Sequence, residues 1–341
     1  MVRALDPDKR LAAASATSFD VARLAGVSRS AVSRAFTPGA SISAGARERV
    51  LEAAAALGYR VNHVARALNK QRTDLVGLIS SSMGNPYRAA QIEALAKRLV
   101  REGFRPMLFC IDEGMDTEQV ISMLLNYSVS GVVITSDAPP AKICEECARM
   151  QVPLVLVDRE DELPLVDSIS GDNVKGGRLA ADALIDAGRR RLVALRPESD
   201  VYSITARISA FVERARANGL EPEILPAGPP NYDSGRDAAA EIAARRTEGL
   251  GVFCPTDFIA LGLLDALQTR FGLQIPQEAS VIGYDDIPQA AWDFSNLTTI
   301  GQPVDQFAVD TVALLKARIE RPDRPPRREF VDVSLVRRGT V

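Results

Sequence analysis

TSFDVARLAGVSRSAVSRAF, residues 17–36, is the stretch that decides the fold of the first part of this chain. Thr17 and Asp20 have the spacing of a capping box, in which the threonine hydroxyl and the carboxylate each accept a hydrogen bond from a backbone N–H of the first helical turn. Gly26 can take the left-handed conformation that ends a helix, and Ser28 can cap a second one. Two short helices joined by a glycine-containing turn of about three or four residues predict a helix-turn-helix.

The second of these helices has a polar surface. Arg29 and Ser30 open it, and Ser33 and Arg34 follow one turn later. Guanidinium and hydroxyl groups contact phosphates and base edges in DNA, so we expect Arg29 and Ser30 to read bases, and Arg34 to read a base or hold a phosphate. The candidates for contact with the DNA backbone are Thr17, Ser28, Ser33 and Asn62.

A third helix is predicted after a loop at residues 37–39. Its apolar stripe is predicted to comprise Val50, Leu51, Ala54 and Leu57. Gly58 can close this helix, so the helix-turn-helix domain spans residues 17–60. Residues 1–16 show no hydrophobic periodicity and are predicted to form a flexible tail.

Charge is distributed unevenly along the chain. The 341-residue chain has a net charge of −3, yet residues 1–72 contain twelve Lys and Arg and five Asp and Glu, a net charge of +7. The remainder contains 29 basic and 39 acidic residues, a net charge of −10. A basic segment on an acidic body is typical of a DNA-binding domain attached to a separate regulatory domain.

Several functional classes are disfavoured by what the sequence lacks. No apolar run approaches the roughly 20 residues of a membrane span, and residues 1–16 contain no signal-peptide core, so we expect a cytoplasmic protein without membrane contact. Cys144 and Cys147 have no second cysteine pair, so we interpret them as helix residues facing partly inward and expect neither metal nor cofactor. Dinucleotide, P-loop and nucleophile-elbow motifs are missing, so we expect no enzyme, and the missing signal peptide counts against a solute-binding module.

The hydrophobic period changes from Leu75 onward. Predicted strands lie at 75–80, 106–111, 131–135, 152–158, 192–196, 223–226, 250–255, 280–284 and 329–337. Predicted helices lie at 87–102, 117–128, 141–150, 204–218, 234–245, 257–271 and 304–320. Strands that alternate with helices predict parallel, doubly wound sheets, here two Rossmann-like subdomains with crossovers near 158–172 and 285–303.

A ligand site is expected between these subdomains, because ligands bind at the carboxyl ends of the strands in open α/β sheets. Polar residues follow the predicted strands, among them Asn85 after the first, and the preferred candidates for ligand contact are Tyr87, Asp158, Thr256, Asp257 and Asp285. Arg207 can reach the same place as a forked donor, and Tyr87 or Trp292 can stack on an apolar ligand face. Carboxylates, a guanidinium and an aromatic ring suit a polyhydroxylated ligand. Asp158 could instead pair with Arg159 to hold the fold, and Trp292 could pack between the subdomains.

Several motifs together resemble one protein family. FDVARLAGVSRSAVSRAF, SISAGARERVLEAAAALGYRVN and HVARAL match in order and spacing the DNA-binding headpiece of the LacI (lactose repressor) family of bacterial transcription regulators. IGYDD, LTTIGQP and VSLVRRGT are similar to the effector domain of that family. The resemblance implies an all-α helix-turn-helix headpiece followed, over residues 74–341, by an effector-binding and dimerisation domain with two α/β subdomains of periplasmic-binding-protein type.

The resemblance also implies a hinge over residues 61–73. In the family this segment forms a helix when two protomers meet on DNA, and its leucine then wedges into the minor groove. Leu68 occupies that position, and Ala65 lies one turn earlier. Val61 stands where the family usually has a proline before the hinge asparagine, here Asn62, so the start of this helix is less preorganised.

For the effector site, Arg207 matches the family's effector-binding arginine, and Asp285 matches an aspartate that grips hydroxyls in sugar-responsive members. Thr256 stands where asparagine is usual, so hexose specificity does not carry over.

The function that these observations favour is a DNA-binding regulator, a repressor by default. A homodimer would bind a pseudo-palindromic double-stranded operator, and a small-molecule effector, a sugar or sugar derivative, would change its affinity. The alternative is a corepressor-type regulator that responds to a nucleoside or purine.

Overall fold

The computed structural model describes residues 16–37, 39–60, 73–81, 83–111, 117–135, 141–159, 166–199, 201–247 and 249–341. The chain divides into two compact units after Thr73. Of the predicted tail only residue 16 is described, and of the predicted hinge only Thr73. The predicted DNA contacts that lie outside the described residues, and stay predictions, are those of Asn62, Ala65 and Leu68.

The first unit contains the predicted helix-turn-helix. Its helices are α1 (Ser18–Ala25), α2 (Arg29–Ala35) and α3 (Ala44–Ala56). The capping box is present at the start of α1, where Asp20 N donates to Thr17 Oγ1 at 3.4 Å and Thr17 N donates to Asp20 Oδ2 at 3.0 Å. Gly26 has a φ of 63°, which turns the chain toward α2. The helix-turn-helix prediction is confirmed.

The core of this bundle is made of small apolar side chains. Val21, Val32 and Val50, one from each helix, are at most 1% exposed. The predicted stripe of α3 was partly wrong, since Leu51 and Leu57 are 45% and 38% exposed. Leu51 is rotated about 100° from Val50 around the helix, and Leu57 lies beyond its last turn, so neither faces α1 and α2.

The second unit consists of strands that alternate with helices. The strands are β1 (Leu75–Ser81), β2 (Arg105–Ile111), β3 (Gly131–Ile134), β4 (Leu154–Val157), β5 (Val166–Gly171), β6 (Arg191–Pro197), β7 (Glu223–Ala227), β8 (Leu250–Phe253), β9 (Ser280–Asp285), β10 (Thr298–Gly301), β11 (Arg328–Val331) and β12 (Ser334–Val336). The helices are α4 (Pro86–Arg101), α5 (Thr117–Asn126), α6 (Ala141–Arg149), α7 (Asn173–Asp186), α8 (Tyr202–Ala217), α9 (Tyr232–Ala244), α10 (Asp257–Thr269) and α11 (Val304–Glu320), with a short 3₁₀ helix at Pro288–Ala291.

These strands form two six-stranded sheets, and each sheet is the centre of one subdomain. The first sheet has the order β11-β5-β4-β3-β1-β2, and the second has the order β12-β10-β9-β8-β6-β7. Neighbouring strands are parallel except for β12, which runs antiparallel to β10. Apolar clusters lie on both faces of each sheet, as parallel sheets require. The predicted fold class is confirmed.

The chain crosses between the two subdomains three times. The first crossing follows β5 at Asp172, and the second lies at Gln302–Pro303, between β10 and α11. Both fall at the carboxyl ends of the predicted ranges, because β5 still belongs to the first sheet and β10 to the second. The strand predicted at 329–337 was wrong. It is two strands, β11 and β12, that pair in different sheets and are joined by Asp332–Val333, the third crossing.

A buried charge cluster fixes the connection from α11 to β11. Asp167 on β5 is fully buried and forms ion pairs with Arg318 at 2.7 Å and Arg324 at 2.5 Å. Its carboxylate also accepts from the backbone N–H of Arg327. Removing one partner of a buried pair costs about 3–5 kcal/mol, so this cluster holds β11 in register beside β5.

No helix of the described residues is long and apolar enough to cross a membrane.

Candidate functional site

The first candidate site is the outer face of α2. Its solvent-exposed residues include Ser28 at the cap, Arg29, Ser30, Ser33 and Arg34. Val32 and Ala35, on the opposite side of this helix, are buried in the bundle. Four residues of α2 that are predicted to contact bases or phosphates therefore lie on one exposed surface. Val32, on the opposite side of the helix, packs against the rest of the bundle.

Hydrogen bonds within this face distinguish its residues. Ser28 Oγ accepts from Ala31 N at 3.2 Å and lies 2.8 Å from Ser30 Oγ, so Ser28 is primarily a helix cap. Arg34 Nε donates to the carbonyl of Ser30 at 3.3 Å. Among the described residues Arg29 has no hydrogen-bond or ion-pair partner, which leaves its whole guanidinium fork for a ligand. Thr17 is exposed, but its hydroxyl takes part in the capping box of α1.

The second candidate site is a cleft between the two subdomains, about 670 Å³ when the part open to solvent is counted. It is lined from the first subdomain by Asn85, Tyr87, Arg88 and Asp158, and from the second by Val201, Ser203, Ile204, Arg207, Pro230, Thr256 and Asp285. The lining combines four charged side chains with an apolar wall.

Arg207 on α8 is the centre of the buried polar network in the second subdomain. It is 4% exposed and donates through Nε to Asn173 Oδ1 at 2.9 Å, and through Nη1 to the carbonyl of Pro255 at 2.9 Å and to Asp285 Oδ1 at 3.3 Å. The guanidinium lies 3.7 Å from the centroid of the Tyr284 ring, a cation–π contact. These partners orient Arg207 before any ligand arrives.

The two cleft carboxylates occupy unusual backbone positions. Asp158 follows β4 with a φ of 61°, and Asp285 ends β9 with a φ of 124°. Positive φ is strained for residues other than glycine, and such strain is concentrated at functional sites. Burial raises the pKa of Asp285 to about 8, against the opposing effect of Arg207. A second donor to Asp285 is the amide of Gln302, at 2.8 Å.

Tyr87 links the two sides of the cleft. It belongs to α4 of the first subdomain, yet its ring is buried in an apolar cluster of the second that includes Ile259 and Ile287. Its hydroxyl is buried and has no hydrogen-bond partner among the described residues. Burial is the main cause that raises the pKa of this hydroxyl well above its ordinary value. A bound ligand could complete its hydrogen bonding.

The structure does not bring two of the predicted site residues into this cleft. Asp257 is fully buried, and its carboxylate accepts from Ile287 N at 3.0 Å and from Thr299 Oγ1 at 2.5 Å. It therefore holds the loop after β9 against β10, and burial raises its pKa to about 6. Trp292 is 50% exposed and contacts Phe294 outside the cleft.

Thr256 does line the cleft, although its Oγ1 accepts from Ile259 N at 3.3 Å as the cap of α10. Asn85, one of the polar residues expected after the first predicted strand, also lines the cleft. Sequence reasoning missed five lining residues: Arg88, Val201, Ser203, Ile204 and Pro230. Arg88, next to Tyr87 in the first turn of α4, could have been found from its position after a predicted strand. The apolar residues carry no sequence signal that separates them from core. Within the described residues no group of His, Cys, Asp and Glu could hold a metal ion.

Two family models match separate parts of the chain. The model for bacterial regulatory proteins of the lacI family matches residues 19–62, which contain α1 to α3. The model for a periplasmic binding protein-like domain matches residues 181–341, which contain most of the second subdomain.

Two characterised relatives are similar over almost their entire length. The HTH-type transcriptional regulator CelR of Thermobifida fusca is 30% identical over 328 residues, which cover 93% of this chain and 95% of CelR. The HTH-type transcriptional repressor PurR of Vibrio atlanticus (strain LGP32) is 30% identical over 332 residues, covering 96% of this chain and 98% of PurR.

Solved structures agree with these similarities. The Lac repressor dimer bound to operator and the anti-inducer ONPF is similar with a TM-score of 0.84 and 26% identity, covering 96% of this chain and 99% of that chain. The complex of CelR with cellobiose has a TM-score of 0.71 and 28% identity, covering 96% of this chain and 100% of that chain. From the helix-turn-helix, the paired α/β subdomains and these full-length similarities, the chain belongs to the LacI family of bacterial regulatory proteins.

Proposed function

We propose that this protein is a repressor that binds a pseudo-palindromic operator as a homodimer, and that a sugar or sugar derivative in the cleft changes its operator affinity. The observation that carries the proposal is the pairing of an exposed cationic recognition helix with a separate polar cleft in one chain. The first can bind DNA and the second a small molecule, which is the minimum a ligand-responsive regulator needs.

On DNA, α2 enters the major groove. Arg29 lies at the start of the helix with its donors free among the described residues, so it contacts guanine O6 and N7. Ser30 and Arg34 lie beside it, while Ser33 and the exposed Thr17 position the headpiece on phosphates. Two copies of the headpiece read two half-sites, as the structure of the operator-bound Lac repressor dimer illustrates for that protein.

In the cleft, the charges favour a neutral ligand. Arg88 and Arg207 contribute two guanidinium groups, and Asp158 and Asp285 contribute two carboxyl groups. Acidic and basic groups therefore largely balance in the cleft, and their many donors and acceptors suit vicinal hydroxyl groups. The apolar wall suits the C–H face of a sugar. CelR, 28% identical in its cellobiose complex, supports this ligand class.

A nucleoside or purine is the second candidate ligand. The buried hydroxyl of Tyr87, which lines the cleft, could hydrogen-bond a base, and Asp158 could accept from a base amino group. A thermal-shift screen of sugars, sugar acids, nucleosides and purines separates the classes, because a ligand that binds only the native state raises the melting temperature. A screen in which only bases raise it would reject the sugar proposal.

The DNA part is tested by selecting duplexes from a random library and measuring salt-dependent binding. Arg29→Ala is expected to lower affinity for the selected operator by about 5- to 150-fold, with a smaller loss on random DNA, because a bidentate guanine contact is worth about 1–3 kcal/mol. Arg101→Ala, which removes an exposed arginine from the end of α4, is the charge-matched control. Equal losses on both duplexes would show that Arg29 contacts only phosphate.

Full-length protein with no salt-sensitive affinity for any selected duplex, with or without the screened ligands, would overturn the proposed function. If binding is found, adding the ligand identified by thermal shift distinguishes induction, a loss of operator affinity, from corepression, a gain. No change in either direction would reject the cleft as the regulatory site.

A further inference from the structure

A groove on the second subdomain lies between α8 and the edge strand β7, and it measures about 580 Å³ when the part open to solvent is counted. It shares no lining residue with the cleft. One side of α8 and two neighbouring strands line it, through Arg196, Thr205, Ile208, Ser209, Val212, Glu213, Arg216 and Ile224. We name this lining the α8 groove.

The middle of the α8 groove is apolar. Ile208 and Val212, one turn apart on α8, form its floor and are 4% and 7% exposed. Ile224 on β7 lines the same groove and is 42% exposed. Because β7 is the last strand of its sheet, the part of this side chain that α8 leaves uncovered is open to solvent. An apolar ligand chain would be stabilised here by removing that surface from water.

The two ends of the α8 groove carry opposite charges. Arg196 near the end of β6 and Thr205 near the start of α8 lie at one end, because the helix runs back along the strand it follows. Glu213 lies about 12 Å further along α8, at a rise of about 1.5 Å per residue. Among the described residues neither Arg196 nor Glu213 forms an ion pair. Arg216 is already paired, with its Nε 3.0 Å from both carboxylate oxygens of Glu221.

We propose that the α8 groove binds a small aliphatic monocarboxylate, with the carboxylate on Arg196 and the chain on the apolar floor. The guanidinium of Arg196 has a planar set of donors that matches a carboxylate, and the hydroxyl of Thr205 at the same end can donate a further hydrogen bond. The inference goes beyond the proposed function, because this site involves neither the cleft nor the recognition helix.

Glu213 discriminates between ligands with one and with two acidic groups. A dicarboxylate long enough to fill the groove would bring its second negative charge to Glu213, where like charges repel. Arg216 does not compensate, because its guanidinium is held by Glu221. We therefore expect the groove to bind octanoate and to reject suberate, the dicarboxylate with the same number of carbon atoms.

Isothermal titration calorimetry of the full-length protein with octanoate, hexanoate, octanol and suberate tests the chemical class. Octanoate should bind at least about tenfold more tightly than octanol, because only the carboxylate forms a charged hydrogen bond with Arg196. Hexanoate should bind more weakly than octanoate by up to about fourfold for each methylene that it lacks. Suberate should not bind to the wild type but should bind to Glu213→Gln.

Substitutions test the place of binding. Arg196→Gln is expected to lower octanoate affinity by at least about tenfold, and Ile224→Ser by about fivefold. Arg214→Gln is the charge-matched control, since Arg214 lies on the same helix but pairs with Asp182 of α7. Arg88→Gln is a second control, because it removes a positive charge from the cleft instead. Circular dichroism checks that all four variants remain folded.

The outcomes separate this inference from the proposed function. Octanoate binding that is weakened in Arg196→Gln and Ile224→Ser, and unchanged in both controls, supports the inference. A wild type that does not bind octanoate, equal affinities in all variants, or a loss confined to Arg88→Gln overturns it. Octanol or suberate binding the wild type as tightly as octanoate also overturns it. Operator binding, measured on the same proteins by gel shift, tests the proposed function independently of all these results.

Discussion

Replacing Arg207 with methionine tests whether the cleft is organised by a buried ion pair. The substitution keeps an unbranched side chain of similar length but removes three hydrogen bonds and the stacking on Tyr284. It leaves the carboxylate of Asp285, which is 4% exposed, with the amide of Gln302 as a described donor. Among the described residues, no positively charged group is then hydrogen-bonded to this buried carboxylate.

The expected cost follows from these contacts. Removing one partner of a buried ion pair costs about 3–5 kcal/mol, and protonation of Asp285, whose pKa burial already raises to about 8, keeps the loss near the lower figure. Asp285→Asn leaves Arg207 its hydrogen bonds to Asn173 and to the carbonyl of Pro255, so it should lower the free energy of unfolding by about 1–3 kcal/mol. The double variant has no stranded charge, so its loss should be smaller than the sum of the single losses by about 2 kcal/mol.

Urea unfolding followed by far-ultraviolet circular dichroism measures the four free energies of unfolding. The matched control is Arg214→Met, on the same helix, where the exposed pair with Asp182 at 2.6 Å should contribute less than about 1 kcal/mol. Operator affinity in the absence of ligand should be retained by the Arg207 variant, while the thermal shift given by the effector is lost. Losses that add within about 0.5 kcal/mol would refute the coupling of Arg207 with Asp285.

Two further predictions concern titratable groups of the second unit. Tyr87→Phe removes a buried hydroxyl that has no hydrogen-bond partner among the described residues, so it should raise the free energy of unfolding by about 1 kcal/mol in thermal unfolding. The same substitution should weaken effector binding, measured by calorimetry, by about fivefold or more. Unchanged affinity would show that the hydroxyl does not face the ligand. Burial raises the folded-state pKa of Asp257 to about 6 and of Asp285 to about 8, so the folded state binds more protons than the unfolded state above about pH 4. Their contribution to stability is complete below that pH and is lost as pH rises to about 6 and 8, by at most about 1.4 kcal/mol per pH unit for each carboxyl. Comparing the pH profile of wild type with Asp257→Asn and Asp285→Asn isolates this contribution, and identical profiles would contradict it.

Local sequence signals predicted most helices and strands of both units. Thr17 and Asp20 start α1, Gly26 ends it, and the alternation of apolar runs with helical patterns gave the α/β class. Of the described helices and strands, β5, α7, β10 and the 3₁₀ helix at Pro288–Ala291 were not predicted. Their sequences carry weak patterns, since β5 alternates buried serines with apolar residues and α7 contains Gly176 and Gly177. Both glycines are required by packing, because a Cβ would lie 2.3 Å from Tyr284 Oη at the first and from the Arg207 carbonyl at the second.

The candidate site was predicted in part. Five of the seven effector residues named from sequence line the cleft, because parallel strands bring their carboxyl ends to one edge. Asp257 and Trp292 do not line it, although both are close in sequence to strand ends. A side chain at a strand end can turn toward the ligand, as Asp285 does, or into the fold, as Asp257 does, and only its three-dimensional neighbours decide which.

By itself the sequence determined the helix-turn-helix, the basic and acidic halves of the chain, and the doubly wound class of the second part, because caps, turns and hydrophobic periods act over a few residues. Tertiary structure alone decided which strands share a sheet, where the chain crosses three times, that Tyr87 reaches across the cleft, and that Trp292 faces outward. These features depend on contacts between residues far apart in the chain, for which local periodicity contains no information.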